Sequence, residues 1–143
     1  MIRTQLQTAL TAAGCTLVLY EAAQLANVIA DQSTPDDIVG LVLEPDTVTL
    51  DVRGNGIQEI YPPTVVEVFK QVRPEDTATH NEATLQELLT ACKVFLHTII
   101  RSGEFQKLEA TVCTKITERR YDANVTGWSM ALNVRPVENR QSC

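Results

Sequence analysis

The chain has 143 residues, the size of one ordinary domain, and its hydrophobic fraction of 44% is sufficient for a single core. Charged residues make up 21% of the chain and are spread along it, which argues against a disordered protein. The formal net charge is −6 and no Lys/Arg cluster is larger than Arg119-Arg120, so we expect no specific binding of DNA or RNA.

Neither a membrane anchor nor an export signal is predicted. The apolar runs stay well short of the roughly 18 residues that a transmembrane helix needs, and residues 1–13 are too polar for the core of a signal peptide. We therefore expect no membrane contact and a chain that stays in the cytosol in which it is made. The four cysteines show no CxxC spacing and are expected to be small buried hydrophobic residues, except for Cys143, which we expect to be a mobile free thiol.

The first part of the chain is predicted to be a short helix followed by a strand. Apolar residues recur at spacings of three and four over residues 2–13, and Gly14 fits the end of this helix. A β-type run follows at residues 16–20. Residues 21–32 are compatible with a short helix or with an irregular connection, and residues 33–37 form a turn cluster.

A β-hairpin is predicted in the middle of the chain. Residues 38–43 form an apolar strand candidate, and residues 47–52 alternate, with their valine and leucine side chains on one face. The tripeptide Gly54-Asn55-Gly56 is a strong hairpin signal, because the turn residues must accept positive φ. Residues 57–61 are the expected returning strand, and residues 64–72 the next long strand.

Residues 79–103 contain the clearest helix. Its apolar residues recur at spacings of three and four, which predicts one face that packs against a sheet, and Gly103 fits its end. The expected stripe consists of Leu85, Leu88, Leu89, Cys92, Phe95, Leu96, Ile99 and Ile100.

A second hairpin is predicted after this helix. Apolar and polar residues alternate over residues 108–116, with Val112 and Ile116 on the apolar face. A further alternation begins at Trp128 and continues through Met130 and Leu132.

The order of these elements predicts the α+β class. We expect a mostly antiparallel sheet with one long helix and a short N-terminal helix packed on one face. Residues 1–136 are expected to form this single domain, and residues 137–143 a frayed C-terminal tail.

The sequence contains no constellation typical of catalysis or of a metal or cofactor site. His80 lies near the start of the long helix and His97 lies off its apolar stripe, and neither belongs to an HxxxH or HExxH pattern. The acidic pair Asp36-Asp37 falls in a turn, where carboxylates mostly act as turn or capping residues. We therefore expect no enzyme, and no catalytic residue, metal or cofactor.

One segment suggests a contact with another protein. Residues 118–126 link two strands, are longer than a tight hairpin needs, and mix both charge signs with a tyrosine. Arginine and tyrosine are enriched at protein interfaces, whereas the competing interpretation is a solvated hairpin tip. The candidate interface residues are Arg119, Arg120, Tyr121, Asp122 and Asn124.

The order of elements resembles that of the tail terminator (tail completion) proteins of long-tailed bacteriophages. The local resemblance lies at residues 116–132, where a charged bend containing Asp and Asn leads through Gly127 into the last alternating strand. The start of the chain, residues 1–14 leading into a β-type run, also fits, and the resemblance covers residues 1–135 as architecture.

The resemblance implies a function in virion assembly. Such proteins close into a ring, usually hexameric, on the finished tail tube, where they stop its growth and offer a surface to the head–tail connector protein. DNA passes through the ring, and a net acidic chain would not clamp it. The expected place is the neck region of the virion tail, with assembly in the host cytoplasm. Two alternatives remain: a neck or head–tail connector component, and an unrelated cellular protein-binding module.

Overall fold

The computed structural model describes residues 2–21, 34–43, 47–60, 64–72, 78–103, 105, 111–116, 119–120 and 123–132. The two helices of this part are α1 (Ile2–Ala12) and α2 (Ala78–Ser102). Its strands are β1 (Leu17–Glu21), β2 (Val39–Leu43), β3 (Thr49–Arg53), β4 (Gly56–Ile60), β5 (Thr64–Gln71), β6 (Cys113–Ile116), β7 (Arg119–Arg120) and β8 (Ala123–Leu132). The expectations for residues 22–33 and for the tail at residues 137–143 lie outside the described residues.

The main sheet has the strand order β1-β2-β5-β8-β6, and the short β7 also pairs with β8. Strands β1 and β2 are parallel, and the other strand pairs of the described residues are antiparallel. The long strands β5 and β8 are central and pair from Thr64–Leu132 to Gln71–Val125. The predicted α+β class with a mostly antiparallel sheet is confirmed.

Both helices pack on one face of this sheet. Their apolar side chains meet those of the central strands in the larger of two core clusters. Leu6 and Leu10 of α1 and Leu88 and Phe95 of α2 are fully buried there, together with Met130 of β8. The periodic apolar stripes therefore bury each helix against the sheet, as the sequence predicted.

The stripe of α2 is confirmed except at its end. Its central residues are buried and its flanking residues are half-buried. The buried ones are Leu88, Cys92, Phe95 and Ile99, and the half-buried ones are Leu85, Leu89 and Leu96. Ile100 is 62% exposed, so its placement in the stripe was wrong. Consecutive residues are turned by about 100° around a helix, and this rotation carries Ile100 past the packed edge that Ile99 occupies.

The face of the sheet away from the helices has a core cluster of its own. Its members are Leu19, Val39, Leu41, Phe69, Ile116 and Val125. In β5 the neighbours Val68 and Phe69 belong to opposite clusters and are both fully buried. Burial on both faces explains why β2 is a continuous apolar run and why apolar residues stand side by side in β5 instead of alternating.

The predicted C-terminal hairpin is present, because β6 and β8 pair in antiparallel fashion. Ile116 is buried as expected, but Val112 is exposed, so its assignment to the apolar face was wrong. Cys113 is the first residue of β6 that pairs with β8. Val112 therefore lies outside the strand, and strand pairing does not determine the direction of its side chain.

Gly127 allows the closest approach between the central strands. A Cβ atom at this position would lie 2.2 Å from the carbonyl oxygen of Val68 and 2.6 Å from the Cα of Phe69. Both atoms belong to main chain that cannot yield easily. The position therefore requires glycine, although it lies within a strand, where glycine is otherwise unfavourable.

Candidate functional site

The predicted interface segment is not one long loop. Arg119 pairs with Asn124, and Arg120 pairs with Ala123, so β7 and the start of β8 form a hairpin. The structure therefore corrects the extent assigned to the loop, since residues 123–126 belong to β8. Val125 and Thr126 have high β propensity and pair with the end of β5, and this pairing also draws Ala123 and Asn124 into the strand despite their low β propensity.

The structure brings two of the five candidate residues together. Arg119 and Asn124 are cross-strand partners. Asn124 is exposed, and its carbonyl oxygen accepts a hydrogen bond from the N–H of Val72 at 2.8 Å, which joins the hairpin to the end of β5. The side chains of Arg119 and Arg120, and all of Tyr121 and Asp122, lie outside the described residues. The interface assignment of the five residues stays a prediction.

A second candidate surface lies on the hairpin of β3 and β4, which forms a two-stranded sheet of its own. Its turn consists of Gly54 and Asn55, because Arg53 pairs with Gly56, and Gly54 has a φ of 49°. The predicted hairpin is thus confirmed with its turn at the first two residues of the glycine–asparagine–glycine sequence. At that φ a residue with a Cβ atom is strained and glycine is not, so glycine fits this position.

One face of this hairpin is apolar and turned to solvent. Val52 lies opposite Ile57 and Leu50 lies opposite Glu59, so these side chains share a face, which the alternation extends to Val48. The exposed fractions are 46% for Val48, 59% for Leu50, 72% for Val52 and 62% for Ile57, and Glu59 is also exposed. These five residues are called the hairpin face below.

The opposite face of the hairpin is more polar and yet more buried. Asp51 and Gln58 are paired there, and both are half-buried, as is Ile60. This inverts the usual arrangement of a half-exposed hairpin, in which the apolar side chains turn inward. The sequence showed the alternation of residues 47–52, but alternation distinguishes two faces without stating which one is covered. The sequence therefore did not predict that the hairpin face is exposed.

Burial raises the pKa of the three cysteines of the described part. Burial raises the pKa of the Cys15 thiol to about 11. Burial also raises the pKa of Cys92 to about 12, and the nearby Cys113 and Cys15 raise it further. Burial raises the pKa of Cys113 as well. Because the thiolate is the reactive form, the thiols of Cys15 and Cys92, which are buried as expected, are unreactive near neutral pH. Cys113 is only half-buried, so the expectation that it would be buried was wrong.

Asp37 illustrates the structural use of the acidic turn. Its carboxylate accepts a hydrogen bond from the N–H of Thr34 at 2.9 Å and one from the hydroxyl of Thr16 at 3.1 Å. These hydrogen bonds hold the pKa of Asp37 below its usual value, and the bond from the main chain of Thr34 has the largest effect. The Thr16 hydroxyl in turn accepts from the N–H of Ile38 at 2.9 Å. The carboxylate therefore fastens the turn to the start of β1 and β2.

A shallow groove between α1 and α2 has a volume of about 250 Å³. It is lined by Thr4, Gln5, Thr8, Ala9, Thr98, Ile99 and Ser102. The hydroxyls of Thr98 and Ser102 donate to carbonyl oxygens of their own helix, those of Val94 and Ile99. Among the described residues, the groove is therefore lined by hydroxyl, amide and apolar side chains.

Glu67 is the buried carboxylate of the central strands in the described part of the chain. Glu67 pairs with Leu41 of β2 on one side and with Ser129 of β8 on the other. It is 1% exposed and takes part in an interaction within the protein. Its signal in the sequence is a single charge inside the apolar run of β5, which the sequence analysis did not single out. We assign it to the core rather than to a site.

Among the described residues no group of three or more His, Cys, Asp and Glu side chains is arranged to hold a metal ion. Neither helix in this part of the chain combines the length and the apolar character that a membrane span requires. No protein-family model matches the chain, and no curated protein is significantly similar to it.

Proposed function

We propose that this protein is a structural component of a phage virion that closes into a ring on the tail tube and joins it to the head connector. The hairpin face carries the proposal. A contiguous apolar surface of this kind on a monomer typically marks a protein contact, and a two-stranded hairpin alone is only marginally stable. The order of elements along the chain, from the N-terminal helix to the last hairpin, is the basis of the resemblance to tail terminator proteins.

The charge of the chain suits a ring through which DNA travels. A net charge of −6 repels the phosphates of DNA. Passing DNA would therefore not be bound, because the chain does not displace its counterions. The proposed role is non-enzymatic and needs no cofactor. Its partners are further copies of the chain, a tail tube protein and a head–tail connector protein, in the neck region of a virion assembled in the host cytoplasm.

Electron microscopy of the chain with a tail tube protein encoded in the same genome tests this role. Tubes grown with the chain are expected to stop at a defined end that carries a ring, whereas the tube protein alone should grow to irregular lengths. Monomers both alone and in the presence of the tube protein would contradict the proposal. Genes for tail and head proteins beside the gene for this chain would support it against an unrelated cellular binding module.

A further inference from the structure

A second unusual surface lies on the last turns of α2. Val94 and Ile100 are exposed there, the former by 40%, although an outward helix face is normally polar. Lys93, His97 and Arg101 are exposed on the same side, since residues three, four, seven and eight apart share one helix face. These five residues are called the helix face below.

The hairpin face and the helix face are complementary in charge. The helix face combines two apolar side chains with Lys93 and Arg101, and residues 91–103 contain no acidic residue, in a chain whose net charge is −6. The hairpin face combines four apolar side chains with the acidic Glu59. An apolar centre with opposite charges at its border is what a specific protein contact needs.

Within the described part of the chain neither face is covered, because the apolar residues of both are exposed there. We infer that the hairpin face of one copy docks on the helix face of a second copy. This inference deepens the proposed function by naming the contact through which neighbours in the ring meet. Two unlike surfaces that recognise each other make a head-to-tail contact, which propagates around a ring if the rotation closes.

The size of the surfaces fits a contact of moderate strength. Four half- to three-quarter-exposed aliphatic side chains present a few hundred Å² of apolar area, near the upper range for a single patch on a monomer. Each copy in a ring uses both of its faces, so that the total area grows with each closed contact. A single contact is smaller than a standard interface of about 800 Å² per partner, and we expect association to depend on concentration.

Sedimentation velocity of the full chain over a concentration series tests the contact. Leu50→Asp with Val52→Asp alters the hairpin face, and Ile100→Asp alters the helix face. Each change is expected to weaken self-association at least about tenfold, since a carboxylate is then placed in an apolar contact. The matched controls are Thr49→Asp and Ala83→Asp. Thr49 is exposed on the other side of β3, and Ala83 is exposed on the solvent side of α2 about three turns before Val94. Circular dichroism and thermal melting establish that each variant is folded.

Mixing the two variants gives the decisive result. Each variant retains one intact face, so an equimolar mixture should form a one-to-one dimer and nothing larger. The inference is overturned if the wild-type chain is monomeric at every concentration, if the variants associate as the wild type does, or if the mixture forms no dimer. None of these results by itself contradicts capping of tail tubes, which the microscopy measures separately.

Discussion

The indole Nε1 of Trp128 donates a hydrogen bond to the main-chain carbonyl oxygen of Leu85 at 2.9 Å. This contact joins β8 to the first half of α2. Trp128 is paired with Val68 on one side and with Lys115 on the other, so the indole links the long helix to the middle of the sheet. The packing of α2, which carries the helix face, against the sheet therefore includes this hydrogen bond.

Replacing Trp128 with phenylalanine is expected to lower the free energy of unfolding by about 1–3 kcal/mol, because it removes the indole donor and part of a packed ring. Urea unfolding followed by circular dichroism measures the change. Val112→Ala is the control, since Val112 is exposed and should change stability by less than about 0.5 kcal/mol. Equal stability of the Trp128 variant and the wild type would show that the hydrogen bond contributes nothing.

Two truncations distinguish the buried side of α2 from its exposed side, namely Leu88→Ala and Ile100→Ala. Leu88 is fully buried, so its truncation should cost about 2–5 kcal/mol through lost transfer energy and a cavity. Ile100 is exposed, and its truncation should remain within about 0.5 kcal/mol in the monomer. The comparison keeps the helix and the type of change constant. Similar losses for both variants would contradict the orientation of the helix.

The buried thiols predict a loss of stability in alkaline solution. Because the pKa values of Cys15 and Cys92 are raised to about 11 and about 12, the unfolded chain releases these protons first, from an ordinary value near 9. The stabilisation is complete below pH 9 and is lost as pH rises towards 11 and 12. Each thiol should lower the free energy of unfolding by about 1.4 kcal/mol per pH unit in this window.

Urea unfolding at pH 8 to 11 measures this slope. Lysine and tyrosine also titrate in the window, so the wild type is compared with Cys92→Ala, which should show the shallower slope whatever its absolute stability. Identical slopes in the two proteins would mean that Cys92 ionises in the folded state as it does in the unfolded chain.

The arginine pair of β7 tests the interface predicted from the sequence. Changing both Arg119 and Arg120 to Glu should leave the stability of the isolated chain within about 0.5 kcal/mol if both side chains are exposed, yet prevent ring formation or tail completion, because like charges then face the partner. Lys115→Glu on the neighbouring β6 is a charge-reversal control, since Lys115 is exposed. Normal assembly of infectious particles by the double variant would identify this hairpin as a solvated tip.

Local patterns were sufficient for the helices and for both hairpins. Apolar spacings of three and four predicted α1 and α2, and glycine beside asparagine predicted the turn at Gly54. Both signals are local, because they depend on residues close together in sequence. The patterns failed at their ends. Ile100 continues the periodicity but lies beyond the surface that the sheet covers, and residues 123–126 have the composition of a loop but pair with β5 and β7.

The sequence by itself determined the α+β class and the two buried helix stripes, since these follow from periodicity and residue type. Only the tertiary structure decided which face of the β3–β4 hairpin meets solvent and where the buried stripe of α2 ends. Alternation in β3 is the same whether Leu50 points to a core or away from it, and the answer depends on where the rest of the chain lies. The exposed hairpin face and the exposed Ile100 are consequences of packing over long sequence distances, which no local pattern records.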